Sequence, residues 1–130
     1  MDKQAAFNYV CRQLMSQAKP SFHYVDGDPD RPNCLYRSEN GRCAVGWMIP
    51  NKAYRKKFEC KSVITIVLKN SHIRNLPYIR PWNIEELDAL QKIHDKAAVI
   101  WGENQQQSWP AVIREHFEAL ASRINLKMEV

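Results

Sequence analysis

The run CLYRSENGRCAVGW, Cys34 to Trp47, sets two cysteines around Asn40-Gly41, and its reading decides how the centre of the chain folds. Asn-Gly is a strong two-residue hairpin signal, because a type I′ turn needs positive φ at both central positions and these residues tolerate it. A turn centred there pairs Ser38 with Cys43, Tyr36 with Val45 and Cys34 with Trp47. Period-two alternation then puts Cys34, Tyr36, Cys43, Val45 and Trp47 on one face, and Leu35, Arg37, Ala44 and Gly46 on the other.

This register bears on the cysteines. With Cys43 opposite Ser38, the two thiols stand about 13 Å apart along the strand, whereas a disulfide needs Cα atoms within about 7 Å. A shared tetrahedral zinc is disfavoured on the same geometry, and eight intervening residues are not the spacing of a zinc knuckle. The face instead reads as a surface packed under helices.

Those helices are expected on either side. Phe7, Val10, Cys11, Leu14 and Ala18 recur at helical spacing over residues 3 to 18, with Asp2 as N-cap and Pro20 as the stop. Asn83 with Glu86 forms a capping-box pattern for a long helix over about 84 to 101, with Leu87, Leu90, Ile93, Ala97, Ala98 and Trp101 on one side and His94 in the middle of that arc. Ser108 and Pro110 open a last helix carrying Trp109, Ile113, Phe117, Leu120 and Ile124. Residues 20 to 33, with three prolines and three aspartates, read as an irregular loop. For residues 62 to 70 the β-branched run favours a strand narrowly, while Ser62 offers a helix cap.

At 130 residues and 15.2 kDa with 45% hydrophobic residues, the chain suits one domain over 1–130. No apolar run approaches the roughly 20 residues that cross a bilayer, and MDKQAAFNYVCRQLMSQAKP lacks a signal-peptide apolar core. A cytoplasmic protein with reduced cysteines and no membrane partner is expected.

Motifs for chemistry are sparse. His23, His72, His94, His116 and the four cysteines fall into no zinc-binding spacing, and four glycines make no phosphate loop, so neither metal nor cofactor is expected. Asp26, Asp28 and Asp30 alternate without the remainder of an EF-hand. Glu85, Glu86, Asp88 and Asp95 mostly read as a charged outer helix face. A thiol enzyme using Cys43 with His94 or another histidine as base is one reading; no cysteine-enzyme motif surrounds it, and no catalytic residue is assigned.

Charge is more informative. The net charge of +5 is concentrated in residues 50 to 82, where eight Lys/Arg face one Asp/Glu. Lys52, Arg55, Lys56, Lys57, Lys61, Arg74 and Arg80 are the candidate binding residues. With Tyr54, Phe58, Tyr78 and Trp82 interleaved, they suit either phosphates and stacked bases or an acidic protein surface.

The run CLYRSENGRCAVGWMIPNKAY and the later LQKIHD resemble a family of small uncharacterised proteins encoded by bacteriophages and prophages. The matching residues are Cys34, Tyr36, Arg37, Gly41, Cys43, Ala44, Val45, Gly46, Ile49, Pro50 and Tyr54, then Leu90, Gln91, Ile93, His94 and Asp95. The resemblance implies a phage-type origin, hence the cytoplasm of an infected bacterium, and a short helix at 62 to 70. Relatives usually carry an acidic stretch after the tyrosine, whereas this chain has RKKFECKSVITIVLKN.

The expectation is a small α+β domain, a hairpin over about 34–47 packed on about four helices. Its expected role is that of a non-enzymatic accessory protein binding and inhibiting a host or defence-system protein through the basic surface. A nucleic-acid binder is the alternative, and the thiol enzyme comes third.

Overall fold

In the computed structural model, which describes residues 1–130, the chain runs α1 (Lys3–Met15), β1 (Phe22–Tyr24), β2 (Pro32–Cys34), α2 (Ala44–Met48), α3 (Val63–Lys69), α4 (Ser71–Arg74), α5 (Ile84–Glu103) and α6 (Trp109–Arg123). The three long helices start where their caps stand. Asp2 accepts from the Ala5 N–H, Asn83 and Glu86 complete a reciprocal capping box, and Ser108 accepts from the Ala111 N–H ahead of Pro110. Helix α1 closes at Met15, three residues before the expected end, and Ala18 is exposed. Residues 63–69 are helical, with Ser62 as cap, as the family resemblance implies and against the local β propensity.

One cluster of 29 buried apolar residues draws on every helix and on Cys34 of β2. Helix α6 lies against α1 and α5; α2 lies against α1 and α5; α3 and β2 also cover α5. Phe7 and Phe117 stack across the α1–α6 contact with centroids 5.9 Å apart. The molecule is a small single α+β domain, one β-hairpin on six helices. No helix is long and apolar enough to cross a membrane.

The hairpin is not where the Asn40-Gly41 signal puts it. It joins β1 and β2 antiparallel, pairing Phe22 with Cys34 and Tyr24 with Pro32, and all of it but Cys34 lies inside the stretch, 20 to 33, expected to be an irregular loop. Asp26 (φ 53°) and Gly27 (φ 71°) adopt left-handed backbone in the connection, and the Asp28 carboxylate accepts from the Asp30 N–H. The aspartates therefore build a turn between two short strands. Ser21 ties down the base: its Oγ donates to Leu35 O at 2.6 Å, and its carbonyl accepts from the Leu35 N–H at 3.0 Å.

Around Asn40 a tight turn does form, one residue out of register. Ser38 pairs with Gly41, each donating to the other's carbonyl, so Glu39-Asn40 occupy the centre. No strands follow. The backbone donors that a longer ladder needs are taken by side chains distant in sequence: Arg42 N–H by Gln17, Tyr36 and Arg37 N–H by Glu59, and Val45 N–H by Gln91. Cys43 becomes the N-cap residue of α2, and residues expected to alternate between two faces wind into a helix.

Candidate functional site

The two sequence blocks that carry the phage-protein resemblance meet at one junction. Arg37 lies at its centre: Nη1 donates to Tyr36 O and to Gly46 O (2.8 Å), and Nη2 donates to Ile49 O (2.6 Å). One guanidinium thereby caps carbonyls at the end of α2 while its plane rests on the Tyr54 ring, 4.5 Å from the centroid. Glu59 completes the clamp by accepting from the Tyr36 and Arg37 N–H groups and from the Tyr54 hydroxyl. Burial pushes the Tyr54 phenol up to about 12, and its hydrogen bond to Glu59 acts in the same direction.

From α5, Gln91 accepts the Val45 N–H at 3.1 Å and donates to Asp95 at 3.0 Å. The same Asp95 oxygen lies 3.0 Å from His94 Nδ1. His94 is fully buried, and its ring meets Trp109 edge to face at 5.5 Å. Asp95 is thus half-buried and engaged.

The cysteines are closer than the hairpin register allows. The Cys34 thiol lies close enough to Cys43 to hold its proton on more tightly, so the 13 Å separation is overturned with the register that produced it. All four cysteines are free thiols. Burial, then the Cys34 thiol, pushes the Cys43 thiol well above the ordinary range. Cys43 has no exposed surface, whereas a nucleophilic thiol needs solvent access and a depressed pKa. No three His, Cys, Asp or Glu side chains converge as a metal site would require.

The candidate binding residues divide into two kinds. Lys52, Lys56, Lys57, Lys61 and Arg80 are exposed, and none of their side chains makes an ion pair. Lys57 and Lys61 stand with Lys69 around a depression of about 150 Å³. Arg55 is exposed but curls back onto the Lys52 and Tyr54 carbonyls. Arg74 is spent internally, donating to the carbonyls of Ile79, Arg80 and Trp82.

The interleaved aromatics do not form a stacking platform. Phe58 and Trp82 are each only 1% exposed, and Tyr54 is held between Arg37 and Glu59. Arg42 escapes sequence reading, because it lies outside the basic run; its guanidinium covers the Trp47 ring at 4.8 Å, beside Lys52.

No family model matches the chain, and no curated protein or solved structure matches it either.

Proposed function

We propose that this chain is a non-enzymatic binding protein that engages an acidic surface of a host or defence-system protein, and inhibits it, through Lys52, Arg55, Lys56, Lys57, Lys61 and Arg80. The observation that carries this reading is the fate of Glu59, the one acidic residue between 50 and 82. Its carboxylate is bound inside the junction, while the lysines on either side of it are exposed without counter-charges. A surface of one sign steers an opposite partner and selects against like-charged ones. Inhibition is what small phage proteins outside the virion commonly exert on one host component, and the resemblance extends that expectation here.

Protein is favoured over nucleic acid because single-strand binding relies on exposed aromatic rings, and three of the four interleaved ones are buried or pinned. Capture of the tagged protein from nuclease-treated bacterial lysate, at low and high salt, tests the reading. A protein retained at low salt and released at high salt is expected. Recovery of nucleic acid from untreated lysate with a steep salt slope, and of nothing after nuclease, would overturn it.

A further inference from the structure

Resting on that reading, we infer that a groove beside Lys52 is the specificity pocket of the basic surface, seating one large apolar side chain from an acidic segment of the partner. The groove encloses about 430 Å³, within the range of ligand pockets. Tyr9 of α1, Trp47 of α2, and Leu76 and Tyr78 from the turn after α4 form its walls; Arg42 and Lys52 stand on its rim.

Its walls are held before any partner arrives. Tyr9 and Tyr78 stack with centroids 4.2 Å apart. Trp47 is fixed from two sides, its Nε1–H donating to Gln17 at 2.8 Å and its face lying under Arg42, which in turn donates to Asn51 at 2.8 Å. Gln17 reaches this position because residue 41 is glycine: a Cβ there would come within 2.2 Å of the Gln17 amide oxygen. Rigid aromatic walls lower the ordering cost of binding, and buried apolar anchors dominate interface energetics.

Charge identifies the occupant. No carboxylate lines this groove, and neither Arg42 nor Lys52 has an acidic partner. The cavity of about 290 Å³ beside Cys34 differs, because Asp88 and Asp95 line it together with Lys61 and Lys92. An apolar residue flanked by Asp or Glu places its side chain between the rings and its carboxylates against the rim. Lys52 belongs both to the groove and to the basic set, its carbonyl accepting from the Arg55 guanidinium.

The test selects a random decapeptide display library on the full chain and measures each enriched peptide against the wild type and Lys52→Glu. Lys52 is exposed, so an unchanged amide spectrum verifies the variant's fold. The expected result is a Phe, Trp, Leu or Met flanked by Asp or Glu, weakened about tenfold by Lys52→Glu and shifting the Trp47 indole N–H resonance. Acidic peptides without an apolar position, leaving Trp47 unmoved, would overturn the pocket while sparing the basic-surface reading. Enrichment of basic sequences, or of none, would overturn both. A Trp47 shift produced by a short oligothymidylate, or by concentrating the protein alone, would reassign the groove to nucleic acid or to a second copy of the chain.

Discussion

Lys56 and Glu59 are three residues apart and have opposite fates. Glu59 turns inward and holds two backbone donors and a phenol, whereas Lys56 extends into solvent with nothing to hold. The same contrast separates two regions of the molecule. At the junction with α5, side chains replace the ladder of a hairpin, and the charged groups that meet there, Arg37, Glu59 and Asp95, each have a structural duty. On the basic face the lysine charges have none. A charge that the fold does not use costs little to change, so the comparison predicts where mutation damages folding and where it damages only binding.

The largest effect belongs to Arg37. Arg37→Ala leaves the Tyr36 and Ile49 carbonyls without their donor and the Gly46 carbonyl with only the Ile49 N–H, and the loss should be roughly 3 kcal/mol in urea unfolding. A loss below about 1 kcal/mol would show that the junction is not a scaffold. Gly46→Ala comes next. Its Cβ would lie 2.6 Å from the Tyr36 carbonyl oxygen, on backbone that Arg37 and Glu59 hold in place, and should cost about 2 kcal/mol.

Cys43→Ser sharpens the distinction between scaffold and chemistry. A hydroxyl in that fully buried position should lower stability by about 1 to 2 kcal/mol and abolish no turnover. Normal melting with loss of a catalytic activity would instead establish Cys43 as a nucleophile.

Alkaline pH provides a smaller, graded probe. Burial raises the Cys11 thiol from 9.0 to about 12, against the opposing charges of Arg114 and Arg12, and Tyr54 rises from 10.0 to about 12. Because both groups hold their protons more tightly when folded, their contribution is complete below pH 9 and is lost as pH rises through 12. Urea midpoints should therefore fall progressively over that window. Cys11→Ala should reduce the slope that begins near pH 9, to which buried Cys43 also contributes, and Tyr54→Phe the slope that begins near pH 10, to which buried Tyr36 also contributes; unchanged slopes would contradict both assignments.

The long helices were legible because their information is local. Asp2, Asn83 with Glu86, and Ser108 with Pro110 sit next to the apolar periodicity they cap, and α1, α5 and α6 begin where those residues stand. The hairpin was misplaced for the converse reason. Asn40-Gly41 signals a turn correctly, but whether strands follow depends on Gln17, Glu59 and Gln91, which lie from 22 to 46 residues away from the donors they capture. Meanwhile the Asp- and Pro-rich run that looked structureless closes a hairpin with only three residues in each strand, too short for period-two alternation to register.

The candidate site divides along the same line. Exposed lysines follow from a run of like charge, so Lys56, Lys57 and Lys61 were readable. That Arg74 is consumed by three carbonyls, and that Arg42 stands beside Lys52, depends on tertiary neighbours.

The central claim is that the unclaimed charges bind and the claimed ones hold the fold. Its most direct test compares the wild type with Lys56→Glu, Lys57→Glu in capture from nuclease-treated lysate, with thermal melts run alongside. Two exposed positions without partners should leave stability within about 0.5 kcal/mol, and the captured protein should be absent from the double variant. Capture of the same partner by both proteins at equal yield would contradict the account.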